Sequence, residues 1–164
     1  MNATTTFTLR HHRCPGDLGR IVALHGELYA REYGFGLQFE VYAAETLAEF
    51  GKPERTERDR LWVAEIEGQI VGSIGIIGRE NNAAQLRCLL ITPEARGMGL
   101  GRCLVETALT FCRESGYDSI FLWTVQGLSA AVHLYASAGF VKTDELPPSD
   151  WGATVIEERY ELRL

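Results

Sequence analysis

The segment LLITPEARGMGLGRCLVE (Leu89–Glu106) constrains this chain more than any other. An apolar run stops at Pro93, glycines occupy positions 97, 99 and 101, and helical periodicity starts at once. A glycine inside a helix costs about 1 kcal/mol relative to alanine, so three of them at a helix start require either a special turn or a ligand. The first N–H groups of a helix have no intrahelical acceptor, and the macrodipole adds roughly half a positive charge there. Glycines allow backbone angles that converge those N–H groups and let oxygen atoms approach without meeting a Cβ. Strand, glycine turn and helix therefore read as an anion cradle. The plainer alternative is a strand-to-helix turn that needs one glycine.

Two familiar anion sites do not fit. A Walker loop needs Lys and then Ser or Thr after its last glycine, where Arg102 and Cys103 stand. A dinucleotide fingerprint counted from Gly97 puts its third glycine on Arg102, and the segment lies past mid-chain. The pattern that does fit is Arg-x-x-Gly-x-Gly, at Arg96, Gly99 and Gly101.

Around this turn the hydrophobic period switches repeatedly between two and 3.6 residues. Thr5–His12 alternates like a half-buried strand. A helix follows from Leu18, with Asp17 as the expected N-cap and Ile21, Val22, His25 and Leu28 on its apolar stripe. A second helix through Phe39, Tyr42, Leu47 and Phe50 is expected to stop at Gly51 and Pro53. Leu61–Gly78 reads as a hairpin turning at Glu67-Gly68-Gln69, and Asn81–Pro93 as a central strand. The helix after the turn, a strand at Tyr117–Val125, a helix at Leu128–Phe140 and a strand at Ala153–Leu164 complete the order. It predicts a mixed α/β sheet, with residues 1–164 as one domain.

At 164 residues with 46% hydrophobic content the chain suits a single core. A net charge of −6 argues against nucleic acid or an anionic membrane as partner and suits a cationic amine. Cys14, Cys88, Cys103 and Cys112 lack CxxC spacing. Three of them sit among Leu, Ile and Phe, which reads as reduced core thiols with no disulfide framework and no metal. No signal-peptide stretch or membrane span is apparent, so the expected compartment is the cytoplasm.

LRCLLITPEARGMGLGRCLVETALTFCRESGYDSIFLWT (Leu86–Thr124), followed by HLYASAGF (His133–Phe140), resembles the GNAT superfamily of acyl-CoA-dependent N-acetyltransferases. The order of elements also resembles that family. GDLGRIVALHGELYAREYGF near the N-terminus resembles the acetyltransferase half of MarR–GNAT fusion proteins. The resemblance implies a GNAT-like fold: a central mixed, mostly antiparallel sheet flanked by helices. It implies acetyl transfer from acetyl-CoA to a small-molecule or peptide amine by direct attack in a ternary complex. The cofactor diphosphate would lie on the backbone of Arg96, Gly97, Met98, Gly99, Leu100, Gly101 and Arg102. The pantetheine arm would pair with Leu89, Leu90 and Ile91, with an N–H near Ile91 polarising the thioester carbonyl. Tyr135 matches the tyrosine that protonates the leaving thiolate, a role suited to a phenol of pKa about 10.

The sequence departs from the family pattern at the base. Some members carry a Glu on the strand before the turn, where AQLRCLLI offers only Gln85 and Arg87. No base is assigned from the sequence. His25 reads as a core histidine and Cys88 as a structural thiol, while Glu27, Glu32 and Glu40 are candidate linings of an acceptor pocket. That pocket is expected between Tyr29–Glu49 and Lys142–Gly152. A non-catalytic coenzyme A sensor on the same fold is the alternative function, and a homodimer is left open.

Overall fold

The break at Pro15-Gly16 separates a short strand, β1 (Thr8–Arg10), from helix α1 (Asp17–Tyr33). The computed structural model describes residues 6–53 and 56–164, so Thr5 of the expected strand lies outside the described residues. Asp17 does not cap α1. Gly16 holds the cap position at φ 98°, and the Asp17 carboxylate accepts from the Cys14 N–H (2.7 Å) and from the Arg10 guanidinium (2.7 and 2.9 Å). That guanidinium also reaches Glu65 at 2.7 Å, so one side chain ties β1, the start of α1 and the next strand together.

Helix α2 (Leu37–Gly51) stops at Gly51, as expected. It ends because Lys52 precedes Pro53 and is driven to extended backbone (ψ 141°), a clash-imposed restriction on any residue before proline. Strands β2 (Arg60–Ile66) and β3 (Gln69–Gly78) form the expected hairpin, and Glu67 (φ 50°) and Gly68 (φ 75°) supply the two left-handed residues of a tight turn.

After β4 (Ala83–Ile91) come α3 (Leu100–Glu114), β5 (Ser119–Val125), α4 (Ser129–Ser137) and β6 (Val141–Glu145). A small ribbon of β7 (Ser149–Asp150) and β8 (Thr154–Val155) precedes β9 (Glu157–Arg163). The main sheet has seven strands in the order β1-β2-β3-β4-β5-β9-β6. Its pairs are antiparallel except β4 with β5, as expected for a mixed sheet with β4 central.

The helices cover both faces. Ile21 of α1 and Leu47 and Phe50 of α2 pack with Leu61, Val63 and Ile77 on one face. On the other, Leu104, Ala108 and Phe111 of α3 pack with Trp62, Ile74, Ile76 and Ile120. Burying each of the Leu, Ile, Val and Phe side chains among these contributes roughly 1.5–3 kcal/mol. Of the free cysteines only Cys112 lies fully in the core; Cys88 and Cys103 are half-buried and Cys14 is exposed.

Phe50 seats α2 on the sheet directly above Gly75, where a Cβ would come within 2.3 Å of its ring. The backbone of β3 there is bare because a ring occupies the space. Gly75→Ala should therefore lower stability by about 1–3 kcal/mol, read as a reduced denaturant midpoint. An unchanged midpoint would mean that α2 shifts at no cost.

Candidate active site

Strands β4 and β5 pair only where they begin, at Ala83–Ser119, Ala84–Ile120 and Gln85–Phe121. Beyond Gln85 they diverge. The cause lies on the other edge of β4, where the register against β3 steps from Ser73–Leu90 to Gly75–Arg87, leaving Cys88 and Leu89 of β4 against Ile74 alone. Cys88 sits at this bulge in the left-handed conformation (φ 56°), and the Ser73 hydroxyl donates to its carbonyl at 2.6 Å. A bulge bends and twists its strand, and here the bend carries Leu89–Ile91 away from β5.

The gap has backbone groups to offer. Thr92 N–H donates to Val71 C=O at 2.8 Å, so strand alternation turns the Ile91 N–H the other way, into the gap. The same alternation turns Leu89 toward the gap and Leu90 toward β3. The side chain of Leu90 packs on Leu24 and Leu28 of α1.

At the end of the gap stands the glycine turn. Gly97 (φ 75°) and Gly99 (φ 77°) are both left-handed, and a Cβ on either would meet nothing within 4 Å. Among the described residues none of the N–H groups from Gly97 to Arg102 has an acceptor, and the first bond into α3 runs from Cys103 N–H to Gly99 C=O. Gly101 is different. A Cβ there would lie 2.9 Å from the Ile91 side-chain end and 3.2 Å from that of Leu134, so α3, β4 and α4 pack closely at this glycine and those ends would have to shift to admit a side chain. Met98 and the buried Leu100 turn their side chains into the core. Arg96 spends its side chain on Glu32 of α1 (2.8 Å), and Arg102 is exposed beside Glu106.

The gap opens into a cavity of about 320 Å³ between β4, β5, α1, α2 and α4. Tyr135 lines it, 5% exposed, its ring edge-on to Phe140. Its hydroxyl has no hydrogen-bond partner among the described residues, and burial raises its pKa, so the phenol keeps its proton. His25 is buried at the cavity wall and donates from Nδ1 to Ile21 C=O (2.8 Å), as expected of a core histidine, while stacking on Tyr29. Burial pushes the Cys88 thiol up to about 12, so it is no nucleophile at neutral pH.

Of the expected acids only Glu32 reaches the cavity. Glu40 lies over Gly26 of α1, and Glu27 is exposed. Of Lys142–Gly152, Trp151 joins the lining while β6 remains an exposed edge strand. Glu157 was not singled out from the sequence. It lines the cavity from the first residue of β9, paired with Val125, and burial raises its pKa against the pull of Arg87. No local signal distinguishes it from its neighbour Glu158, which is buried and salt-bridged to Lys142 at 2.7 Å.

Residues 24–140 match the model of the Acetyltransferase (GNAT) family. N-acetyltransferase 8 of Rattus norvegicus is 42% identical over 91 residues, covering 51% of this chain and 40% of that protein. A probable N-acetyltransferase family 8 member 5 of Mus musculus is 31% identical over 119 residues, 66% of this chain and 52% of that one. The chain thus spans about half the length, or less, of the curated relatives it matches. Among solved structures, an acetyltransferase of the GNAT family from Staphylococcus aureus superposes with a TM-score of 0.79 at 18% identity, covering 96% of this chain and 99% of that one. A ribosomal-protein-alanine N-acetyltransferase from Brucella melitensis gives 0.70 at 21%, with 96% and 99% covered.

His25 makes a testable statement about stability. Burial lowers its pKa below 6.5, so below that pH the unfolded chain binds a proton that the folded chain refuses. Its contribution is complete above about pH 6.5 and is lost as pH falls, at up to about 1.4 kcal/mol per pH unit. Between about pH 7 and pH 5 the unfolding free energy of the native chain should fall more steeply than that of His25→Leu; parallel curves would place the imidazole in water.

Proposed function

The chain belongs to the Acetyltransferase (GNAT) family, and from that premise we propose that it moves an acetyl group from acetyl-CoA to a primary amine by direct attack in a ternary complex. The observation that carries the reading is the divergence of β4 from β5 immediately before an open glycine turn. It supplies an elongated slot edged by free backbone groups and ended by unpaired N–H donors, which suits a thin chain ending in a diphosphate.

Acetyl-CoA brings the activated acyl group as a thioester. The N–H groups of Gly97–Arg102 take the diphosphate oxygens, and both left-handed glycines leave that surface bare of side chains. Leu89 and Ile91 offer backbone groups to the pantetheine arm, as an added strand would use them. Leu90 belongs to the same strand but spends its backbone on β3. The Ile91 N–H polarises the thioester carbonyl. Tyr135 holds the proton that the departing thiolate requires, and its burial keeps that proton in place until then. Arg96 contributes through its backbone and through the tie to Glu32, which holds α1 against the turn.

No helix among the described residues is long and apolar enough to cross a membrane. The free cysteines suit a reducing compartment, and the cytoplasm is the setting we propose.

The defining experiment follows free thiol release from acetyl-CoA across a panel of amines; a coenzyme A sensor would bind the nucleotide and release none. Gly99→Val places a β-branched residue at φ 77° and should abolish acetyl-CoA binding by calorimetry while the circular dichroism stays native. Retained affinity would remove the turn from the site. Tyr135→Phe should lower kcat by about 10²–10⁴ with cofactor affinity little changed, and an unaltered kcat would exclude the phenol from proton transfer.

A further inference from the structure

The wall of the cavity around α2 and Trp151 is built of aromatic rings. Phe39 and Tyr42 of α2 lie 5.3 and 5.1 Å from the Trp151 ring, the latter nearly parallel at 29°, and Tyr29 stacks on Phe39 at 4.6 Å. Phe39, Tyr42 and Trp151 all line the cavity, and Tyr42 is still 36% exposed. The position of Trp151 is built. Gly36 N–H donates to its carbonyl at 2.6 Å, and Gly152 approaches so closely that a Cβ there would come within 2.6 Å of the Gly36 nitrogen.

Among the described residues, one unpartnered acid lines the same cavity as these rings. The two carboxylates that line the cavity are Glu32, paired with Arg96, and Glu157, which has no ion pair or side-chain hydrogen bond among the described residues. Arg87 of β4 and Tyr42 of α2 are the charged or titratable groups whose fields reach it. Arg87 is already engaged: its guanidinium hydrogen-bonds Thr46 and Gln85 and lies 3.6 Å from Glu49. An ammonium group entering the cavity would therefore find its open counter-charge at Glu157, while any flat or bulky group it carries would find rings. A polyamine or an extended lysine chain would find few polar partners along that wall.

Resting on the acetyl-transfer reading, we propose that the acceptor is a primary amine carried on an aromatic or bulky apolar group, which lies against Phe39, Tyr42 and Trp151 with its nitrogen at the Glu157 carboxylate. Glu157 takes one proton from the ammonium and passes it to solvent. The freed nitrogen pair forms the C–N bond as the C–S bond breaks, Tyr135 protonates the thiolate, and the proton shed by the new amide restores the phenol through water. Atoms and charge then balance, with one proton released per turnover.

The test uses the full chain, acetyl-CoA and thiol release. Phenethylamine and a peptide amide beginning with Phe represent a free arylalkylamine and a chain terminus; putrescine and Nα-acetyl-lysine amide are the polar comparators. The expected result is a kcat/KM more than about tenfold higher for the better apolar amine, and whichever apolar arm leads identifies the source. Equal or faster turnover of the polar amines overturns this inference and leaves acetyl transfer standing; no turnover of any amine overturns both. Trp151→Ala should raise KM for phenethylamine about tenfold with kcat little changed, and Trp151→Phe should restore it; no effect of Trp151→Ala overturns the aromatic contact. Glu157→Gln should lower kcat by about 10²-fold or more and remove the acidic limb of its pH profile. An unchanged profile overturns the role of the carboxylate. Independently of turnover, phenethylamine added with coenzyme A should quench tryptophan fluorescence, and the quench should be lost in Trp151→Ala; its absence in the native chain overturns the binding site.

Discussion

The hydroxyl of Ser73 holds the Cys88 carbonyl at 2.6 Å, and most of what the cavity can do follows from that bond. A cysteine in the left-handed region is a sterically disfavoured residue, so the bulge persists only where its surroundings compensate. Here a buried serine on β3 supplies the donor, and β3 stays continuous while β4 takes the extra residue. Straightened, β4 would pair with β5 along its length and close the slot. The sheet stays whole because β9 pairs with β5 from Ser119 to Val125 on its far edge.

The three glycines of the turn divide the labour that the slot requires. Gly97 and Gly99 take backbone angles that leave donors bare on the open side, whereas Gly101 lets α3 sit against Ile91 and Leu134. Leu134 precedes Tyr135 on α4, so the contact at Gly101 fixes how closely the helix bearing the phenol approaches the slot. Met98 and Leu100, between the glycines, anchor the turn in the core, which lets its outer backbone remain open without collapsing.

Much of this was legible in the sequence because it is local. Pro93 and the alternate glycines, the Glu67-Gly68 turn and the apolar stripe of α3 each carry their geometry within a few residues. Tyr135, which lines the cavity, was singled out through the resemblance of HLYASAGF to a family motif, not through its chemistry. The bulge left no trace, since neither Ser73 nor Cys88 announces a left-handed residue and their bond spans fifteen positions. Asp17 was misread for a related reason: its helix-capping chemistry is real, but Arg10 from a neighbouring strand competes for the carboxylate and wins with two charge-assisted bonds. Gly101 looked like its two companions and differs from them only in what lies across the gap.

Glu157 was illegible for the deepest of these reasons, and its position shows how the fold makes an acid available. Alternation along β9 sends Glu158 to a buried salt bridge with Lys142 while its neighbour faces the cavity. A one-residue slip in the β5–β9 register would exchange them. That register is held along seven paired positions, from Ser119–Arg163 to Val125–Glu157, so the carboxylate is placed by a whole strand and not by a loop. Arg87, the nearest candidate to neutralise it, is drawn off by Glu49, Gln85 and Thr46. Glu49 in turn binds Arg79 through both oxygens, at 2.9 and 3.1 Å. The network on β4 and α2 thus satisfies its own charges and leaves one carboxylate, among the described residues, in the cavity that the aromatic wall bounds. Burial raises that carboxylate's pKa against the pull of Arg87.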